Sequence, residues 1–206
     1  MRQLDNPASS LPTSSANSLS DALEFLKAFL RDPNATAAIV PSSRFLIGRA
    51  ARNARVNEAK CVVELGPGTG GSTRILLGQM SSKARLLTIE MNAECHEHLR
   101  RNVIDARLQS ECASAEKLAE LIAAHRLPAP DAIISGIPFS TMPVEVGDRI
   151  AAAIAASLAP GGRFVAYQWT PRVADRTIPY LGEPKREWEL LNIPPMRLFT
   201  WVKPAV

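Results

Sequence analysis

The chain has 206 residues, 46% hydrophobic and 21% charged, which fits one ordinary domain with a sizeable core and excludes a disordered or fibrous class. No run free of strongly polar residues is long enough to span a bilayer, and the longest, near 150–160, is mostly alanine. A net charge of +4 admits an anionic partner, and three cysteines (Cys61, Cys95, Cys112) without zinc or redox spacing fit a reducing cytosol.

The first seven residues lack the apolar core of a secretory signal. Residues 1–18 are rich in Ser, Asn and Pro and read as a disordered tail. From 19 to 31, Leu19, Ala22, Leu23, Leu26, Phe29 and Leu30 line one helical face, which Ser20 caps and Asp32-Pro33 stops. Pro41-Ser42-Ser43 opens a second helix to about Val56, with Leu46, Ile47, Ala50, Ala51 and Ala54 inward. Arg44, Arg49, Arg52 and Arg55 lie on its other face. Between Lys27 and Lys60, seven basic residues stand against Asp32 and Glu58. Either this is a solvated helix face, or residues 19–55 lie on an anionic membrane, apolar stripe inserted. These helices, 19–57, precede a domain at 58–206.

Residues 61–73, Cys-Val-Val-Glu-Leu-Gly-Pro-Gly-Thr-Gly-Gly-Ser-Thr, run from a β-branched strand through an acid and a glycine turn into a helix start. The glycines at 66, 68 and 70 allow positive φ and bring bare N–H groups close to a ligand. The spacing is not the dinucleotide G-x-G-x-x-G, and no phosphate-loop Lys follows. Glu64 disfavours a pyrophosphate but suits an ammonium. A second strand, 85–90, ends in Glu90, placed to accept from two ribose hydroxyls, and Met91 can pack on an adenine face. Together these features resemble the first two motifs of the S-adenosylmethionine-dependent methyltransferases.

Residues 73–80 form the helix behind the glycine turn, and 93–102 form the next. Cys95, His96 and His98 sit on that second helix, but side chains two apart point in different directions, so no metal is expected. A third strand lies within 103–112. Ser114-Ala115 follows, where many such enzymes have an adenine-binding Asp, and a helix then runs to about His125. Strand four, 131–135, leads into Gly136-Ile137-Pro138-Phe139. A helix at 143–159 is closed by Pro160-Gly161-Gly162, strand five spans 163–169, and residues 188–191 and 196–202 suit an antiparallel hairpin. The whole predicts an α/β, seven-stranded, doubly wound, Rossmann-like sheet of order 3-2-1-4-5-7-6 with N-terminal helices.

Ligands of such sheets bind beyond the strands' carboxyl ends, so Ser135 to Phe139 should face the reacting centre. Phe139 either packs against substrate or sulfonium or tucks into the core. An amine's proton can pass to carbonyls of the 135–138 turn, to Tyr167 or Tyr180, or to water; no His or acid is placed as a firm base. Catalytic candidates are thus Ser135, Ile137, Phe139, Tyr167 and Tyr180. Cofactor candidates on the first motif are Glu64, Gly66, Gly68, Thr69 and Gly70. Beyond it they are Glu90, Met91, Ser114, Ala115 and Ser135.

The chain resembles the bacterial phospholipid N-methyltransferases that convert phosphatidylethanolamine to phosphatidylcholine. The similarity rests on residues 25–33 (Phe-Leu-Lys-Ala-Phe-Leu-Arg-Asp-Pro), 36–43 (Thr-Ala-Ala-Ile-Val-Pro-Ser-Ser), 63–70 (Val-Glu-Leu-Gly-Pro-Gly-Thr-Gly), 135–139 (Ser-Gly-Ile-Pro-Phe) and 192–195 (Asn-Ile-Pro-Pro). The resemblance implies that Glu64, Gly66, Gly68 and Glu90 bind S-adenosylmethionine. It also implies that the leading helix docks on anionic lipid, giving a cytoplasmic enzyme peripheral on the inner membrane face. Ser114 departs from the usual acid. Ornithine lipid or another small amine is an alternative substrate. The Ser-Gly-Ile-Pro-Phe turn is also similar to the Asn-Leu-Pro-Tyr type of ribosomal RNA adenine dimethyltransferases. Nucleic acid is not expected as a partner, because the basic residues concentrate in an amphipathic region rather than beside stacking aromatics.

Overall fold

The computed structural model describes residues 42–205, so the tail expected at 1–18 and the helix expected at 19–31 lie outside the described residues. Seven strands, β1 (Cys61–Leu65), β2 (Arg85–Glu90), β3 (Leu108–Cys112), β4 (Ala132–Ser135), β5 (Arg163–Gln168), β6 (Lys185–Glu189) and β7 (Met196–Val202), form one sheet. Its order is β3-β2-β1-β4-β5-β7-β6, as the alternation of strands and helices predicts. The first five strands are parallel, and β7 runs antiparallel between β5 and β6. β1 and β4 are buried along their whole length, which accounts for their continuous apolar runs.

Six helices among the described residues cover the two faces. On one lie α1 (Arg44–Ala54), α2 (Gly71–Gln79) and α3 (Ala93–Asn102), whose Leu46, Leu76 and Leu99 meet Val62 and Leu86 of the sheet. On the other lie α4 (Leu118–Ala124), α5 (Val144–Ser157) and α6 (Arg172–Leu181), with Leu118, Ile154 and Val173 packed on Val63, Leu87 and Phe164. Sequence periodicity did not anticipate α6. It has a marked apolar stripe (Val173, Ala174, Ile178 and Leu181), but Pro179 sits inside it and reads in sequence as a helix stop.

α1 starts at Ser43, whose hydroxyl accepts from Leu46 N–H at 3.2 Å, and ends at Arg55 in the left-handed conformation. Its apolar face is buried on the sheet as expected. Its basic face is partly committed to the protein itself. Arg49 donates to the Trp188 carbonyl at 2.7 Å and pairs with Glu189 at 3.4 Å and Glu187 at 3.7 Å. Asn53 reaches Glu187 at 2.8 Å. The first helix is thereby fastened to the last hairpin. No helix among the described residues is long and apolar enough to cross a membrane.

Candidate active site

The carboxyl ends of β1, β2, β4 and β5 open into a cleft of about 750 Å³, within the roughly 300–1,000 Å³ range of small-molecule sites. Gly66 and Gly68 turn the chain with φ of 74° and 56°. A side-chain carbon at Gly66 would stand 3.2 Å from Ile137, whereas at Gly68 nothing lies within 4 Å, so bare backbone faces open space there. Glu90, at the tip of β2, accepts from Gly68 N–H and from Asn92 N–H, both at 2.9 Å. Its carboxylate thus braces the glycine turn and lines the cleft. Met91 beside it is 77% exposed, an apolar surface available to a ring.

Glu64 lies deeper than its place at the strand end suggests. It is buried beneath the glycine turn and does not line the cleft. Its Oε2 accepts from the Thr73 hydroxyl at 2.6 Å, while Oε1 has no hydrogen-bond partner. Burial raises its pKa to about 7; the nearby Ser72 and Thr73 hydroxyls oppose the rise and the charge of Glu90 adds to it. Near neutral pH it is therefore partly protonated, and a cationic group approaching the turn favours its ionised form.

Thr69 is exposed and Gly70 is buried against Leu99 and Val103, so neither lines the cleft. Gly70 instead serves α2 as its left-handed N-terminal residue, φ 90°. Ser114 and Ala115 do line the cleft, but the Ser114 hydroxyl is already used. It accepts from Glu116 N–H at 3.2 Å and donates to the Glu116 carboxylate at 3.1 Å, capping the short 3₁₀ turn Ala115–Lys117. Cys95 reaches the cleft wall, His96 is buried and His98 is exposed. Among the described residues no group of three or more His, Cys, Asp and Glu side chains could hold a metal.

The turn after β4 is built more rigidly than the sequence suggests. Ser135 is fully buried and its hydroxyl accepts from Ile137 N–H at 3.3 Å, so it shapes the turn without lining the cleft. The Ile137 carbonyl accepts from the Gln168 amide, and the Pro138 carbonyl accepts from Thr141 N–H and its hydroxyl, each at 3.1 Å. Two of the carbonyls expected to be free for a substrate amine are therefore already engaged. Phe139 is in the core beside Gly147, not against a ligand, because the turn of Pro138 directs the chain back under α5. Tyr180 is half-exposed near the end of α6 and does not line the cleft.

Tyr167 is in place. It is buried on β5, lines the cleft, and its hydroxyl is flanked by those of Ser42 and Ser72. Burial, then the charge of Glu64, push its pKa far above the usual phenol range, with the two serines opposing. It acts at neutral pH as a hydrogen-bonding hydroxyl, not as a phenolate. Gly136 makes room for it, since a side-chain carbon there would stand 2.6 Å from the Tyr167 oxygen.

Sequence reasoning missed Ser42, Ser72, Asn192, Pro194 and Met196 as cleft residues. Asn192 is buried and accepts from Ser43 N–H at 2.9 Å while donating to the Pro194 carbonyl at 2.8 Å. The Pro-Ser-Ser and Asn-Ile-Pro-Pro runs stood out as motifs. Their pairing across 149 positions is the tertiary contact no local pattern reveals.

The sheet order and the cleft at its carboxyl rim are the architecture of the class I S-adenosylmethionine-dependent methyltransferases. An N-methyltransferase, NodS of Bradyrhizobium japonicum, superposes with a TM-score of 0.59 at 14% identity, over 78% of this chain and 97% of that one. An O-methyltransferase of Bacillus cereus in complex with SAH gives 0.65 at 15% identity, over 92% of each. In sequence, the chain is 26% identical to the ornithine lipid N-methyltransferase of Singulisphaera acidiphila over 179 residues, 86% of this chain and 93% of that protein. No protein-family model matches.

Proposed function

We propose that the protein is an S-adenosylmethionine-dependent N-methyltransferase acting on the amine head group of a membrane lipid. The observation that carries this reading is the cleft in which Glu90 and the bare Gly68 backbone face the turn after β4. The similarity to a lipid N-methyltransferase along most of the chain supports the substrate class.

The residues fit the cofactor. Glu90 has acceptor capacity for ribose hydroxyls, Gly68 leaves the approach clear, Met91 and Ala115 offer apolar surface to the adenine, and the orphaned Glu64 oxygen suits the ammonium end. When bound, S-adenosylmethionine supplies an electrophilic methyl group. The chain's own part is to hold the amine in line and exclude competing water, which supplies up to about 7–11 kcal/mol in favourable cases. The fixed turn at 136–138 and the hydroxyls of Ser42, Ser72 and Tyr167 form the polar wall for that nitrogen, and its surplus proton leaves through them to solvent.

Phosphatidylethanolamine and ornithine lipid both present a primary amine at a bilayer, and the name of the curated relative favours the second. Residues 19–55 are proposed to hold the enzyme on the inner face of the cytoplasmic membrane; because the apolar face of α1 is packed on the sheet, its share is limited to outward residues such as Arg44 and Phe45. The deciding experiment incubates the protein and labelled S-adenosylmethionine with vesicles containing phosphatidylethanolamine, its methylated forms or ornithine lipid. Label in a lipid amine supports the proposal and identifies the head group. Label only in added ribosomal RNA or in a soluble amine overturns it.

A further inference from the structure

The turn joining β6 to β7 carries Leu190, Leu191 and Ile193, which are 70%, 64% and 54% exposed. Trp188 at the end of β6 and Phe45 in the first turn of α1 are nearly half exposed. The hydrogen bond from Ser43 N–H to Asn192 brings that turn of α1 beside the hairpin. Five large apolar side chains thus share one end of the molecule, whereas exposed apolar residues are ordinarily scattered singly.

Their charged neighbours are cationic. The Arg44 guanidinium lies 4.9 Å from the Phe45 ring centre and that of Arg197 lies 4.7 Å from the Trp188 ring. The nearby acids are neutralised internally, Glu187 by Arg49 and Lys185 and Glu189 by Arg49. Residues 190–195, Leu-Leu-Asn-Ile-Pro-Pro, carry no charge at all. Location adds a further constraint. Because β7 is antiparallel to β5, its first residues lie beside the carboxyl end of β5, and Asn192, Pro194 and Met196 line the cleft. The apolar tip and the cleft therefore share one rim.

We propose that the β6–β7 tip, with Phe45, docks on an anionic bilayer surface. Leu190, Leu191 and Ile193 enter the boundary between head groups and acyl chains, and Arg44 and Arg197 meet lipid phosphates. Trp188 takes the interfacial position that indole rings favour. The cleft then opens towards the membrane, so an amine head group reaches it without leaving its leaflet. This rests on the lipid-amine reading and assigns to it a surface separate from residues 19–31.

The test uses the full chain and vesicles of phosphatidylglycerol mixed with phosphatidylcholine. Leu190→Ser, Leu191→Ser and Ile193→Ser are combined in one variant; none of the three lines the cleft, so affinity for S-adenosylhomocysteine and melting behaviour stay unchanged. Its vesicle affinity is expected to fall about tenfold or more, and Arg44→Gln to lower it about fivefold at low salt with the difference vanishing at high salt. Independently of any other docking segment, Leu191→Trp is expected to add emission that brominated acyl chains quench. Wild-type flotation of the triple variant together with no added quenching at position 191 would overturn the proposal. So would a wild-type dimer that the triple variant dissociates without lipid, which would make the tip an interface between copies. If docking behaves as stated but no lipid is methylated, the surface stands and the substrate assignment falls.

Discussion

Replacing Glu64 by Gln tests the electrostatic core of the site. In the folded protein burial lifts this carboxyl from 4.5 to about 7, which corresponds to about 3 kcal/mol at roughly 1.4 kcal/mol per pH decade. Below the ordinary value the group is protonated in both states and its contribution is fully present. As pH rises from about 4.5 to about 7, the unfolded chain releases its proton first and stability falls. Above about 7 the loss is complete. Glu64→Gln keeps the size and an acceptor for the Thr73 hydroxyl, but its amide replaces the partnerless Oε1 and costs about 1–3 kcal/mol at every pH. The readout is therefore the slope. Urea unfolding at successive pH values should show wild type losing about 3 kcal/mol relative to the variant between pH 4 and 8. S-adenosylmethionine binding near pH 6–7 should release a proton from wild type and none from the variant, which calorimetry in buffers of different ionisation enthalpy detects. Parallel stability profiles would refute the assignment of a near-neutral buried acid under the glycine turn.

Glu90→Ala removes the acceptor of the Gly68 and Asn92 N–H groups and the proposed ribose contact. Charge-assisted bonds of about 1.5–3 kcal/mol predict a loss of affinity for S-adenosylhomocysteine of tenfold or more by calorimetry, with the fold retained by circular dichroism. Gly136→Ala places a carbon 2.6 Å from the Tyr167 oxygen and 3.2 Å from the Gly66 carbonyl, and should destabilise by about 1–3 kcal/mol in urea while displacing both cleft walls. Asn192→Ala strands the Ser43 N–H and the Pro194 carbonyl, for a similar loss of about 1–3 kcal/mol, and lowers methyl transfer more than cofactor affinity. Tyr180→Phe should leave both activity and cofactor affinity unchanged, since that ring stands away from the cleft.

The centre of the sheet was legible because β1, β2, β4 and β5 are short apolar runs separated by turn residues, and the doubly wound order follows once strands and helices alternate; β3 and β6, which have no β-branched residue, gave weaker signals. The glycine turn and Glu90 were legible for a related reason: backbone conformation and strand-end position are local properties. Side-chain direction was not. Ser135 ends β4 and Phe139 follows it as expected, yet Phe139 turns into the core and the Ser135 hydroxyl accepts from Ile137 N–H, which depends on α5 packing behind them. Glu64 sits at the predicted place in the chain but one layer below the predicted place in space. The tip residues Leu190 and Leu191 resembled strand because they are apolar, whereas β6 itself is charged, begins at Lys185 and ends at Glu189, leaving them in the turn.

The bond between Ser43 and Asn192, with Arg49 reaching the same hairpin, has a bearing on how the chain comes off the ribosome. Ser42 and Leu46 are delivered early, but the wall they share with Asn192, Pro194 and Met196 must wait for 149 further positions to be translated. A nascent chain can assemble β1 to β4 through local crossovers, and yet its nucleoside chamber lacks one side until β7 is laid beside β5. Completion of the chamber thus waits for the hairpin, and the same hairpin that seals it delivers the apolar tip.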